Sequence, residues 1–153
     1  MGAHTTAAFP GLNPEKGEPM TATIPESHRD LLGEEAQAFA HLATLMADGT
    51  PQVTPVWFDA EGDQIRVNTA RGRTKDRNMT ARPHVALAIS DPDNPYRYLQ
   101  IRGTVVEARE EGAADHIDKL AGKYTGEAHY RWATPGMVRV IYLIRPDSVT
   151  ASG

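Results

Sequence analysis

The basic segment from Val67 to Asn78, VNTARGRTKDRN, holds the residues best suited to binding an anion. The formal net charge of the chain is −4, yet four cations fall within seven residues here, namely Arg71, Arg73, Lys75 and Arg77. Cations gathered in one loop of an acidic chain build a local positive potential. We therefore predict a site for an anionic group such as a phosphate, with a solvated basic loop as the alternative.

The same segment predicts backbone donors for the anion. The chain turns through Gly72 and reaches Thr74, a residue type that favours the N-cap of a helix. We predict a short helix from Lys75 to about Ala81, stopped by Pro83. Backbone N–H groups at a helix start attract anions, and flanking Arg and Lys side chains add charge and further donors. Thr74 is therefore included in the predicted anion site.

The usual catalytic motifs are absent from the sequence. There is no GxSxG, GxGxxG or Walker motif, and no serine lies in a nucleophile setting. The chain has no cysteine, and its histidines lack the paired spacing of ligands, so we predict no metal site. No side chain stands out as catalytic. An enzyme with this sequence therefore needs a bound cofactor to supply the reactivity.

A segment upstream of the basic loop offers a surface for the ring of such a cofactor. Residues 52–58 are rich in β-branched and aromatic types and predict a strand. Its backbone amides can hydrogen-bond a heterocycle, except at Pro55, which has no N–H. The predicted ring-binding residues are Gln52, Thr54, Pro55, Val56 and Trp57. Ordinary packing in the core is the alternative for Trp57.

The remaining segments predict one domain made mainly of antiparallel strands. Residues 1–23 are rich in proline and glycine and predict a flexible N-terminal arm before a domain at 24–153. A short helix begins near Pro25 and ends at Gly33. An amphipathic helix is predicted at 110–124, and strands are predicted at 39–46, 52–58, 64–69, 85–89, 96–109 and 138–144. We expect the first three strands to form an antiparallel meander, and Gly103 to mark a bend.

This order of elements predicts a mainly β fold with flanking helices, in the α+β class. Strands at short spacing without a βαβ rhythm favour a small antiparallel barrel over a doubly wound sheet. An overall pI near 5.8, with the densest group of cations in one loop rather than spread over a face, argues against general binding of nucleic acid or membrane surfaces. Without an apolar run of membrane-spanning length or the core of a signal peptide, we expect a cytoplasmic protein.

Two segments resemble a known superfamily, HLATLMADGTPQVTPVWFD and VNTARGRTKDRNMTARPHVALAI. They are similar to the split β-barrel proteins related to pyridoxamine 5'-phosphate oxidase, the FMN-binding split barrel. Within it, the chain most resembles the deazaflavin-dependent reductases that use coenzyme F420. The resemblance covers residues 24 to 149 or so. Its most specific parts are the PQVTPVWF strand and the RxKxxN spacing of Arg73, Lys75 and Asn78.

The resemblance implies that Arg73, Lys75 and Asn78 hold the cofactor phosphate and that residues 52–57 line its ring. It implies a homodimer with sites at the interface, and a reductase that transfers hydride from F420 to a flat unsaturated compound. Quinones, lactones, nitroaromatics and tetrapyrroles belong to this class. The alternatives are an FMN-binding oxidoreductase of the same fold and a non-catalytic carrier of a cofactor or tetrapyrrole.

Two smaller expectations follow from the same resemblance. Arg71 and Arg77 are surplus to a phosphate site, and they would suit the acidic oligoglutamyl tail of F420. Three aromatic residues late in the chain either shape the substrate pocket or pack against the barrel, namely Tyr124, Tyr130 and Trp132.

Overall fold

Strands of one curved antiparallel sheet make up most of the computed structural model, which describes residues 21–153. The seven strands are β1 (Ala40–Leu45), β2 (Pro51–Val56), β3 (Phe58–Glu61), β4 (Gln64–Ala70), β5 (His84–Asp91), β6 (Asn94–Arg109) and β7 (Arg139–Ser152). The helices are a 3-10 helix (Glu26–Leu32), α1 (Thr74–Ala81) and α2 (Ala113–Thr125). The fold is a split β-barrel with flanking helices, which confirms the predicted class.

The predicted N-terminal arm lies mostly outside the described residues, which begin at residue 21. Where the structure does describe it, the backbone N–H of Ala22 donates to the carbonyl of Pro146 at 2.8 Å. Ile24, two residues farther along the chain, is buried in the core. The last residues of the predicted arm are therefore attached to β7.

The order of strands in the sheet is β2-β1-β5-β6-β7-β4-β3. β2 and β3 follow each other in the chain, yet they are the two edges of the sheet, and Trp57 is the single residue between them. The predicted meander of the first three strands is wrong, because β2 pairs with β1 whereas β4 pairs with β3 and β7. The predicted strand at 52–58 is in fact two strands. The curved sheet thus brings its two edges together at Trp57.

Apolar side chains alternate with polar ones along the strands, so one face of the curved sheet is apolar and forms the core. Leu42, Val67, Leu87, Ile101 and Ile144 are among the fully buried side chains of this core. Burying one such side chain stabilises a fold by about 1.5–3 kcal/mol. A continuous apolar core therefore holds the strands together. The ends of the strands and the connecting loops lie outside this core.

Gly103 lies where β6 passes closest to β7. A Cβ atom at this position would lie 2.7 Å from Cγ2 of Ile144 and 2.8 Å from the carbonyl oxygen of Arg145. The pairing of the two strands also shifts register between Arg102 and Gly103. The expected bend coincides with this irregularity, and only glycine allows the close approach.

The two α-helices begin at other residues than the sequence predicted, whereas α1 ends at Ala81 as predicted. α2 begins after Gly112 and ends at Gly126, both of which have positive φ angles, 77° and 76°. At the start of α1, Arg73 occupies the N-cap position, so the prediction that Thr74 is the N-cap is wrong. The Asp76 carboxylate accepts the N–H of Gly72 at 2.9 Å and secures the loop before the helix. No helix between residues 21 and 153 is long and apolar enough to cross a membrane.

Candidate functional site

A pocket of about 240 Å³ lies where the two edges of the sheet meet. Its polar wall consists of Asn68 from β4, Arg73 and Lys75 at the start of α1, and Arg139 at the start of β7. Its apolar wall consists of Phe39, Pro55, Val56, Trp57, Ile117, Tyr130 and Trp132. Elements distant in sequence therefore converge on one small space that is cationic on one side and aromatic on the other.

Three cations share this pocket, and no carboxylate among the described residues lines it. Burial lowers the pKa of Lys75, and the charges of Arg73 and Arg139 lower it further. Burial also lowers the pKa of Arg139; Tyr130 opposes this shift, and the charge of Arg73 acts in the same direction as burial. Positive groups that are partly removed from water need a compensating charge. The pocket is therefore suited to an anion.

The other two cations of the basic segment lie elsewhere. Arg71 donates to Glu110 at 2.9 Å and to Asp76 at 3.0 Å, so its charge is already balanced by two carboxylates. The expectation that Arg71 is a surplus cation is wrong. Arg77 is exposed, and its guanidinium donates to the carbonyl of Gly72.

Asn78 does not line the pocket, although its spacing from Arg73 and Lys75 suggested that it would. Its amide nitrogen donates to Oγ1 of Thr44 at 3.0 Å, and its amide oxygen accepts from Arg82 at 3.2 Å. Thr44 and Asn78 are both buried, so this bond satisfies two polar groups and fixes α1 on β1. In this structure Asn78 supports the helix rather than contacting the pocket.

The predicted ring-binding strand is only partly in the pocket. Pro55, Val56 and Trp57 line it, whereas Gln52 and Thr54 lie farther along β2. At about 3.3 Å per residue, β2 extends roughly 16 Å from Trp57 to Gln52. Oγ1 of Thr54 is buried and has no hydrogen-bond partner among the described residues. An unsatisfied hydroxyl of this kind next to a pocket suits a polar ligand atom.

The aromatic wall is an interlocked cluster around Trp57. The indole of Trp57 stacks on Tyr124 with ring centroids 5.4 Å apart and an angle of 5° between the planes. Tyr130 and Trp132 meet Trp57 at centroid distances of 6.2 Å and 6.5 Å. Phe39 also packs against Tyr124, with ring centroids 5.3 Å apart. Trp57 therefore packs against neighbouring aromatic rings and also lines the pocket. Its two predicted roles, core packing and ring binding, do not exclude each other.

The three aromatic residues predicted either to shape the pocket or to pack against the barrel have different roles; they are Tyr124, Tyr130 and Trp132. The hydroxyl of Tyr124 donates to the carbonyl of Ala38 at 2.6 Å, and burial raises the pKa of Tyr124 to about 12. Tyr124 thus packs behind Trp57. Tyr130 and Trp132 line the pocket itself, and the backbone N–H of Tyr130 is anchored by Asp118 at 2.8 Å.

Arg139 and Asn68 are pocket residues that the sequence did not reveal. The Nε atom of Arg139 donates to Oδ1 of Asn68 at 2.8 Å. β4 and β7 pair with Ala70 opposite Arg139, so the first residue of β7 lies beside the basic loop. Arg139 stands at the start of a predicted strand, but only the register of that strand against β4 brings it to the pocket.

Larger grooves elsewhere lack this combination of features. One of about 590 Å³ lies over β1, β5 and β6, and another of about 660 Å³ near the 3-10 helix is lined by several carboxylates. In residues 21–153, no group of three or more His, Cys, Asp or Glu side chains is placed to hold a metal ion.

The sequence pattern of the pyridoxamine 5'-phosphate oxidase family matches residues 24–151 of the chain. The protein therefore belongs to this family of split-barrel flavin and deazaflavin oxidoreductases. The phosphate-sized cationic pocket agrees with a flavin-type cofactor, because such cofactors carry a phosphate beside a planar ring.

Solved structures with the same fold include one described as an F420 reductase. It is 37% identical in sequence, with a TM-score of 0.73, and the alignment covers 83% of this chain and 98% of that one. HupZ from Group A Streptococcus is 20% identical, with a TM-score of 0.61 over 84% of this chain and 94% of that one. A conserved hypothetical protein from Mycobacterium tuberculosis is 21% identical, with a TM-score of 0.62 over 85% of each chain. The last two show a shared fold alone. No curated protein sequence matches this chain.

Proposed function

We propose that this protein is an F420-dependent reductase that transfers hydride from the reduced deazaflavin to a flat unsaturated small molecule. Quinones, lactones, nitroaromatics and tetrapyrroles are the substrate classes we include. The observation that carries the proposal is the meeting of Arg73 and Lys75 with an aromatic wall in one pocket lined by no carboxylate of the described chain. The 37% identity to a protein described as an F420 reductase supports the choice of cofactor.

Arg73 and Lys75 would hold the cofactor phosphate at the start of α1. The N–H groups of Thr74 and Lys75 belong to the first turn of α1, where backbone donors have no partner within the helix. At an effective dielectric of about 20, one cation about 4 Å from a phosphate charge contributes roughly 4 kcal/mol before desolvation is subtracted. Side-chain charge and backbone dipoles thus act on the same group.

The ring of the cofactor would lie along the inner face of β2, from Trp57 towards Gln52. Gln52, Thr54 and Val56 share this face, because they pair with the buried residues of β1. The unsatisfied hydroxyl of Thr54 offers a hydrogen bond to a polar atom of the ring. Pro55 lies on the opposite face of β2, where it also lines the pocket, and it has no N–H to donate.

Reduced F420, when bound, supplies a hydride, and the acceptor also takes up one proton. The side chains of this protein contribute binding and orientation, which are the usual protein contributions in cofactor enzymes. Trp57, Tyr130 and Trp132 provide a flat apolar wall that excludes water from one side of the pocket. The Tyr124 hydroxyl is engaged with the Ala38 carbonyl, so we do not assign it as the proton donor.

The pocket of one chain is small for this task, which supports a homodimer. Its volume of about 240 Å³ lies below the roughly 300–1,000 Å³ that is usual for ligand sites. Apolar side chains are exposed beside it, with Phe39 at 47% and Val53 on the edge strand at 63%. We propose that a second copy covers this surface and completes the site. Sedimentation should then give twice the chain mass of 16.7 kDa, and a monomer at micromolar concentration would contradict the proposal.

An FMN-binding oxidoreductase is the second candidate, and one observation favours it. Because Arg71 is paired with Glu110 and Asp76, it is not available for the acidic tail that distinguishes F420. The three pocket cations suit the phosphate of either cofactor.

A side-by-side fluorescence titration of the purified protein with F420 and FMN tests the proposal. We expect F420 to bind at least about tenfold more tightly than FMN. Tighter binding of FMN would favour the second candidate, and binding of neither would contradict both. Turnover is then measured with the reduced cofactor and a quinone or nitroaromatic acceptor. Tight binding without turnover of any acceptor class would point to a carrier.

A further inference from the structure

A chain of hydrogen bonds leads from the pocket into the protein interior. Arg139 Nε donates to Oδ1 of Asn68 at 2.8 Å, and Nδ2 of Asn68 lies 3.0 Å from Nδ1 of His116. Nε2 of His116 lies 2.9 Å from Oδ1 of Asp59. Asp59, His116 and Arg139 are all buried, although neither His116 nor Asp59 lines the pocket. The chain therefore connects one pocket cation to an interior carboxylate.

The partners of Asn68 fix the direction of every bond in this chain. Its amide nitrogen also donates to the carbonyl of Ala113 at 2.9 Å, while its oxygen accepts from Arg139. The opposite amide orientation would place the nitrogen against a guanidinium and the oxygen against a carbonyl. We therefore assign Nδ1 of His116 as the acceptor and Nε2 as the donor to Asp59. All donors point the same way, from Arg139 towards Asp59.

Asp59 is a fixed end point for the chain. Besides His116, it accepts from Arg66 at 2.8 Å and 2.6 Å and from Lys119 at 3.0 Å. Burial would raise the pKa of Asp59, but hydrogen bonds from His116 and Arg66 more than reverse this and hold the pKa well below its usual value. Each carboxylate oxygen of Asp59 therefore accepts two hydrogen bonds.

The contacts of Arg139 leave its charge uncompensated. Asn68 holds Nε, the ring of Tyr130 lies 5.0 Å from the guanidinium carbon, and Nη1 is 3.5 Å from the sulfur of Met137, a weak acceptor. None of these groups is an anion. An arginine side chain loses much conformational freedom when it is held in this way. A guanidinium fixed in place, without a counter-charge, at a pocket that also contains Arg73 and Lys75 suits the recognition of a phosphate.

We propose that Arg139 is a third anion-binding residue of this pocket, and that Asn68, His116 and Asp59 position its guanidinium for the phosphate held by Arg73 and Lys75. This inference rests on the proposed function and adds to it a binding residue and three positioning residues. It also explains why a buried histidine and carboxylate lie behind the pocket without reaching it.

The test compares ligands with and without a phosphate. The deciding pair is FMN with riboflavin, which differ only in the phosphate; F420 and its phosphate-free chromophore, which also lacks the acidic tail, are titrated alongside by fluorescence. Arg139→Gln should weaken binding of the phosphate-bearing ligand about tenfold or more, because a charge-assisted contact is lost, and leave the phosphate-free ligand nearly unchanged. Arg102→Gln is the matched control, since it removes one positive charge from an exposed side chain in a different groove.

A double-mutant cycle tests the positioning residues. His116→Ala should weaken binding of the phosphate-bearing ligand severalfold in the wild-type background and have no further effect in the Arg139→Gln background. Additive effects would overturn the positioning role. If thermal melting shows that His116→Ala does not fold, Asn68→Ala replaces it, because that change removes the link that contacts Arg139 directly.

The outcomes separate this inference from the proposed function. If wild type binds neither F420 nor FMN, the proposed function fails. If wild type binds and Lys75→Ala weakens binding whereas Arg139→Gln does not, the proposed function stands and this inference is overturned. Equal losses for phosphate-bearing and phosphate-free ligands would also overturn it, because they would indicate a structural role for Arg139.

Discussion

Lys75 shows how the pocket depends on single residues. It lies in the first turn of α1, where burial and two neighbouring guanidinium groups lower its pKa from the ordinary value of 10.5. Arg73 and Lys75 were both predicted from the sequence, because a cluster of cations is visible without any structure. Arg139 was not, because a lone arginine at the start of a strand carries no signal until the strand register is known. Asn78 was predicted beside them, but its spacing did not reveal that its amide donates to the buried Thr44 rather than lining the pocket.

Replacing Lys75 by alanine should weaken cofactor binding by roughly 1–3 kcal/mol, about tenfold or more in the dissociation constant. The reason is the loss of a charge-assisted bond to the phosphate. Fluorescence titration of both proteins measures the effect, with Arg102→Gln as a charge-matched control. Equal dissociation constants for wild type and Lys75→Ala would remove Lys75 from the site.

The lowered pKa of Lys75 also predicts a pH dependence. As the pH rises, Lys75 loses its proton before the ordinary value of 10.5 is reached, so binding of the phosphate should weaken in alkaline solution. Lys75→Arg keeps its charge over this range and should show a smaller decline. Dissociation constants measured from pH 7 to about pH 10 compare the two proteins. The same decline in both would mean that another group titrates.

At the scale of elements, the short edge strand β3 is attached through Asp59. This residue accepts hydrogen bonds from Arg66 on β4 and from His116 and Lys119 on α2, so one carboxylate joins three elements. The sequence predicted α2 from its helical periodicity. It could not predict that the strand ends at Trp57, because Val56, Trp57 and Phe58 form an unbroken run of strand-favouring residues. The break follows from pairing with distant strands, which local pattern does not report.

Asp59→Asn should reduce the free energy of unfolding by about 3–5 kcal/mol at neutral pH, because it leaves buried donors without their carboxylate. The folded-state pKa of Asp59 is depressed below the ordinary 3.8, so its contribution is complete above that pH and is lost as the pH falls towards the folded-state pKa. The stability gap between wild type and Asp59→Asn should therefore narrow below about pH 4. Urea unfolding at pH 7 and pH 3 measures it. A gap independent of pH would contradict the lowered folded-state pKa of Asp59.

Gly103→Ala should destabilise the fold by about 1–3 kcal/mol, because the new methyl group would overlap Ile144 and the carbonyl of Arg145. Gly122→Ala in α2 is the control. There a Cβ atom meets only the Glu127 carbonyl at 3.6 Å, and alanine favours the helix by up to about 1 kcal/mol. Urea unfolding of both variants is the measurement. A neutral Gly103→Ala change would show that β6 and β7 can separate at little cost.

At the scale of the whole molecule, the site exists because the sheet curls until its edges meet. β2 supplies Pro55 and Val56 from one edge, and Trp57 crosses to the other edge. β7 and α1 bring the cations to the same place. The class of fold was predictable, since short strands and a late helix are local features. The convergence of β2, β7 and α1 on one pocket was not predictable. It depends on the register of strands that lie about 70 residues apart in the sequence.

A crystal structure of the protein soaked with F420 or FMN tests the central claim most directly. We predict the phosphate within hydrogen-bond distance of Arg73, Lys75 and Arg139, with the ring extending along β2 towards Gln52. A ligand lodged in another groove, or one whose phosphate faces away from these three side chains, would contradict the account.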